Sequence, residues 1–145
     1  MRGYFGIGVY RPKCEDNVGT LWRSAYQLGA AFIFTIGRRY KPARSDTTNT
    51  WKYIPLHNYG NWDSFMETVP IDAQVVLVET GGKELTAYQH PQRALYVLGA
   101  EDDGFPSDII SRHKTVLTIP HTRIASYNVA VAGSIVLYDR LVKSL

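Results

Sequence analysis

The sequence predicts one α/β domain, residues 1–145, built on a mostly parallel sheet with helices on both faces. Three observations carry that expectation. Short apolar runs recur at 4–10, 31–36, 73–78, 94–98 and 115–119. They are β-branched or aromatic, as strands buried on both faces are. Helix-like stretches separate several of them, and strands alternating with helices imply a parallel sheet. The chain has 145 residues, 45% hydrophobic and 20% charged, which suits one core and argues against disorder.

The elements follow in order. After the first run, Val18, Leu21, Trp22, Ala25 and Leu28 fall at helical spacing within 16–29. Asp16 or Asn17 can cap the start of that helix, and Gly29 can end it. A second helix is expected over 61–69. A third is expected over 106–113, with Pro106 suited to its first turn. The last element runs from about 127 to 144 and is apolar nearly all round between 129 and 138. Such a helix is buried, in the core or against a partner. Ala130, Ala132, Gly133 and Ser134 permit close approach of a neighbour.

Several classes are excluded. The single cysteine, Cys14, rules out an internal disulfide framework and a thiolate zinc site within one chain. A reducing, cytoplasmic setting is expected. No apolar run reaches the ~18 residues of a membrane span, and no signal peptide is expected after Met1-Arg2-Gly3-Tyr4. His57, His90, His113 and His121 show no metal spacing, so no metal is expected. Gly6 and Gly8 lie inside the first strand, and neither a Gly-x-Gly-x-x-Gly turn nor a Gly-x-x-x-x-Gly-Lys-Ser/Thr loop is present. This disfavours dinucleotide-binding domains, nucleotide triphosphatases and the glycine-rich methyltransferase fold. It also counts against the rival flavodoxin-like, doubly wound nucleotide-binding domain.

Ligands of open α/β sheets sit beyond the carboxyl ends of the strands. Three segments qualify. The first is Asn17-Val18-Gly19-Thr20-Leu21-Trp22-Arg23. Gly19 and Arg23 share a helix face, and Arg23 is expected to lie over the glycine toward the open helix end, where an anion would favour it. An ion pair with Glu15 or Asp16 is the plainer alternative. The second segment, Leu98 to Pro106, follows an apolar strand and holds Gly99, Gly104 and three consecutive acids, Glu101-Asp102-Asp103. Consecutive side chains in an extended loop point apart, so the acids do not predict a magnesium site. The third runs from Ile119-Pro120 through a polar loop to Ser126-Tyr127-Asn128-Val129, where Ser126 or Asn128 caps the final helix.

The net charge is +3, and ten of the sixteen cations are arginine. Arg38, Arg39, Lys41, Arg44 and Lys52 fall in one stretch, interleaved with Tyr40, Trp51 and Tyr53. Cations suit phosphate and aromatic faces suit unstacked bases. A solvated loop is the alternative.

In this order and spacing, the segments resemble the SpoU/TrmH branch of the SPOUT RNA methyltransferases. The matching residues are Asn17, Gly19 and Arg23; then Gly99, Glu101 and Gly104; then Ile119-Pro120 and Ser126-Tyr127-Asn128-Val129-Ala130-Val131-Ala132. The resemblance implies an α/β knot in the C-terminal half, a homodimer, and transfer of the methyl of S-adenosyl-L-methionine to a ribose 2′-hydroxyl. The RNA would be tRNA, with the wobble nucleotide a candidate, or rRNA. A catalytically silent RNA-binding module on the same fold is a further alternative. By resemblance, Arg23 is catalytic, as a stabiliser of the alkoxide or as the base. Asn17 and Glu101 orient it, and Ser126 and Asn128 shape the site. Val78, Glu79, Gly99, Glu101, Gly104, Ile119, Ser126, Asn128 and Val129 are expected around the cofactor. Arg38, Arg39, Lys41, Arg44 and Trp51 are expected on the RNA.

Overall fold

The computed structural model describes residues 3–40 and 52–145. Lys41, Arg44 and Trp51, three of the residues expected on RNA, lie outside them. Six strands form one sheet: β1 (Tyr4–Tyr10), β2 (Phe32–Ile36), β3 (Leu56–Tyr59), β4 (Gln74–Glu84), β5 (Arg93–Leu98) and β6 (Val116–Thr118). Their order is β3-β2-β1-β5-β4-β6, and every neighbouring pair is parallel. The helices are α1 (Glu15–Gln27), α2 (Trp62–Thr68), α3 (Ser107–Arg112) and α4 (Val129–Lys143), with a 3-10 turn at Leu85–Ala87.

The sheet separates two apolar layers. On one face α1 and α4 bury Leu21, Trp22, Ala25, Val136 and Leu137 against Ile7, Val9, Tyr96 and Leu98. On the other, Trp62 and Phe65 of α2 and Ile109 of α3 pack on Phe34, Ile36, Leu77 and Val97. Helices therefore cover both faces, as a parallel sheet requires. Gly6 and Gly8 point into the second layer, where the Phe32 and Phe34 rings fill the space a Cβ would need. They are packing glycines, not a phosphate loop. Gly133 does the same for helices: a Cβ there would press on Leu21, Leu98 and Ile7.

Some boundaries differ from expectation. Helix α1 begins at Glu15 with Cys14 in the cap position and no side-chain cap, so neither Asp16 nor Asn17 caps it. Its end is as expected. Gly29 has φ +92°, and the amides of Gly29 and Ala30 bond back to the carbonyls of Tyr26 and Ala25, the paired pattern of a glycine-terminated helix. Pro106 precedes α3 rather than entering it. Strand β3, Leu-His-Asn-Tyr, is an edge strand without an apolar run, so hydrophobic patterning gives it no signal. Strand β4 continues past Val78 to Glu84 after a register shift against β6. Among the described residues, no helix is long and apolar enough to cross a membrane.

Candidate functional site

The strand order reverses at β1, with β2 on one side and β5 on the other. Beyond the carboxyl ends of β5 and β6, and against the middle of β4, lies a cleft of about 240 Å³. Val78, Glu79, Gly99, Glu101, Gly104, Ile119, Ser126 and Val129 line it. Of the residues expected around a cofactor, Asn128 alone is not in the lining; it stands next to Val129 at the start of α4.

The segment after β5 is a closed turn. Ala100 and Gly104 exchange backbone hydrogen bonds of 3.2 and 2.9 Å, which turns Asp102 and Asp103 out toward solvent. Glu79, at the end of the apolar part of β4, anchors this turn. Its Oε2 accepts from the Phe105 amide at 3.2 Å and its Oε1 from the Thr80 amide at 2.9 Å. Gly104 has φ +62°, and a Cβ there would run into the Glu79 carboxylate. Glycine is required twice over at that point. The resemblance places Glu79 around the cofactor, but the bracing of the turn by its carboxylate is no part of that expectation.

The three polar segments meet through Asn17. Its Nδ2 donates to Glu101 Oε1 at 2.7 Å, and its Oδ1 accepts from Asn128 Nδ2 at 3.0 Å. Asn128 in turn caps α4, its Oδ1 accepting from the Ala130 and Val131 amides at 2.9 and 3.3 Å. The amide of Asn17 is thus spent on the neighbouring loops because α1 starts two residues upstream of it. A further tie comes from Lys13, which pairs with Asp102. Tyr127 closes the third loop by donating to the Pro120 carbonyl at 2.6 Å. Ser126 is exposed on the cleft wall.

Arg23 stands apart. It is exposed, makes no hydrogen bond or ion pair among the described residues, and is not in the cleft lining. Neither Glu15 nor Asp16 pairs with it. The space over Gly19 is taken by the Tyr40 hydroxyl, 3.3 Å from a hypothetical Cβ, so no open ligand space lies there. Tyr40 itself is buried, edge-on to Trp22, which removes it from the residues able to stack a base. Tyr53 remains exposed, stacked on Tyr26 with ring centroids 4.9 Å apart. Arg38 donates to the Pro12 and Lys13 carbonyls at 3.2 and 3.1 Å, holding the β1–α1 loop. Arg39 is exposed. Among the described residues, no group of three or more histidine, cysteine or carboxylate side chains is placed to hold a metal.

The model of the SpoU rRNA methylase family matches residues 5–138. This chain belongs to that family. Its fold is that of solved SpoU methyltransferases. The SpoU methyltransferase AviRb from Streptomyces viridochromogenes superposes with TM-score 0.88 at 21% identity, over 99% of this chain and 60% of its own. An AdoMet-bound rRNA methyltransferase from Sinorhizobium meliloti gives 0.87 at 23%, over 100% and 58%. A structure concerned with 2-OH methylation of C/U34 on tRNA gives 0.84 at 23%, over 98% and 91%. The SpoU chain described here thus spans about 60% of the first two relatives and most of the third. No curated protein matches the sequence at a significant level.

Proposed function

We propose that this chain is an RNA 2′-O-ribose methyltransferase that uses S-adenosyl-L-methionine and acts on tRNA in the cytoplasm as a knotted homodimer. The observation that carries the reading is the Glu101–Asn17–Asn128 chain, which gathers the three motif segments around one cleft. The cleft suits the cofactor chemically. Glu79 and Glu101 on its wall complement a sulfonium cation. Val78, Leu98, Ile119 and Val129 offer apolar surface to a heterocycle, with backbone groups beside it for its edge. When bound, the cofactor supplies an electrophilic methyl group.

The chain's own residues do the rest. A ribose hydroxyl is a poor nucleophile and must shed its proton during attack. Arg23 carries a planar guanidinium and acts as a cation that stabilises negative charge growing on the ribose oxygen. Asn17 and Glu101 fix the first turn of the helix that carries it. Because Arg23 is absent from the cleft lining of its own chain, a second copy brings it to the site. Tyr26 is exposed on the same helix, and Val131, Tyr138 and Val142 expose an apolar face on the adjoining α4. A relative of comparable length, the C/U34 structure, favours tRNA over rRNA.

Calorimetry in excess chelator is expected to give saturable heat with millimolar S-adenosylmethionine, and radiolabelled methyl is expected to enter tRNA as 2′-O-methyl nucleotide. No heat of binding would sink the reading. Label entering rRNA alone would change the substrate.

A further inference from the structure

Two arginines close the carboxyl edge of β1 and β2 from opposite sides, and one of them is held in an unusual backbone state. Arg11, the residue after β1, has φ +50°, the one left-handed non-glycine residue among those described. L side chains avoid that region because Cβ crowds the following carbonyl, and such residues cluster at functional sites. A loop that needs only this backbone shape takes glycine, as Gly37 does beside it with φ +85°.

The Arg11 stem is accommodated by its neighbours. Its amide donates to the Ile36 carbonyl at 2.7 Å. Its Cγ lies 3.0 Å from where a Cβ on Gly37 would stand, so glycine at 37 makes room for it. Its guanidinium carbon sits 5.8 Å from the Tyr10 ring centroid. Arg38 crosses the other way, from β2 onto the Pro12 and Lys13 carbonyls. The next residue, Arg39, is exposed. No carboxylate pairs with Arg11 or Arg39 among the described residues, and both side chains are exposed.

Charge divides this edge of the sheet. The β4–β5 side carries Glu79, Glu101, Asp102 and Asp103, with Lys13 neutralising Asp102. The β1–β2 side carries Arg11, Arg38 and Arg39. A polyanion is repelled from the first and attracted to the second. We infer that Arg11, on the same sheet edge as Arg39, is an RNA-phosphate contact that sets where the substrate backbone crosses the β1–β2 edge. The inference rests on the proposed RNA methyltransferase reading and adds a residue that the basic stretch beginning at Arg38 does not contain.

The test compares three variants with the wild-type protein, using bulk deacylated tRNA as probe across a salt series. Arg11→Gly relieves the backbone strain, and Arg11→Gln keeps the stem over Gly37 while removing the charge. Arg93→Gln removes a surface cation at the amino end of β5, where it pairs with Asp72. Both Arg11 variants are expected to bind S-adenosylmethionine as wild type does. Both should bind tRNA on the order of tenfold more weakly, about the size of one charge-assisted hydrogen bond. The log–log salt slope should shrink by about 0.7–0.9, one phosphate's worth. Arg11→Gly is expected to melt no lower than wild type, and Arg93→Gln to bind tRNA unchanged. Wild-type affinity and slope in Arg11→Gln overturn the inference, as does an equal loss in Arg93→Gln. If wild type methylates RNA while Arg11→Gln matches it, this inference alone falls. If wild type binds no RNA, the functional reading falls with it.

Discussion

Asn17 does at residue scale what no single motif does: one amide side chain touches both neighbouring loops. Asn17→Ala removes both bonds and leaves Glu101 without its partner. We expect this variant to fold but to lose cofactor affinity, measured by calorimetry. Arg23 is the opposite case, since nothing among the described residues holds it. Arg23→Ala should leave melting and cofactor binding unchanged and lower methyl transfer by roughly 10²–10³, the usual effect of removing one charge-stabilising donor. Near wild-type turnover would show that the arginine is not catalytic. Gly104→Ala meets a backbone at φ +62° and the Glu79 carboxylate together. It should cost about 1–3 kcal/mol in denaturant unfolding and distort the turn that Glu79 holds.

At the scale of elements, α4 begins and ends on polar networks. Asn128 caps its start, and Asn128→Ala should destabilise by about 1 kcal/mol while also releasing Asn17. Near its end, buried Arg140 donates to the Pro91 and Gln92 carbonyls and to the Tyr96 hydroxyl. His90 bridges the same Tyr96 hydroxyl to Asp139, at 2.7 Å on both sides. Burial lowers the pKa of His90 below the ordinary 6.5, outweighing Asp139. Burial lowers His113 as well. The unfolded chain therefore binds more protons than the folded one just below pH 6.5, so stability falls as pH drops through that window. Denaturant midpoints between pH 7.5 and 5.5 should show the fall, and His90→Gln should reduce it. Much of this element scale is legible in the sequence: β1 is read at its observed bounds, and Asn61 and Asn128 stand where helices start. The Leu-His-Asn-Tyr strand is not, because an edge strand paired only through its backbone needs no apolar alternation. Nor is the start of α1, since the helix begins without a side-chain cap. The three site segments are legible as a set, but that Asn17 binds the other two is a fact of tertiary packing. Arg11 leaves no sequence trace, because its distinction is a backbone angle.

For the whole molecule, the proposed homodimer rests on the exposed apolar face of α4. Val131 is 48% exposed and Tyr138 61%, on a helix whose other face is core. Light scattering at micromolar concentration is expected to give twice the 16.4 kDa chain mass, and Tyr138→Asp should shift it toward one. A stable 16.4 kDa species in the wild type would refute the dimer and, with it, a shared Arg23.

The bond between Asn17 and Asn128 joins residues 111 positions apart. During synthesis the chain emerges at roughly 5–20 residues per second, so Asn17 waits several seconds for its last partner. Every strand pairing is parallel, so none can close as a local hairpin. The nascent chain can gather its early strands, yet the candidate cleft lacks one of its walls until residues 119–129 leave the ribosome. A chain broken off before Asn128 therefore leaves Asn17 bound to Glu101 alone, with its amide oxygen facing water.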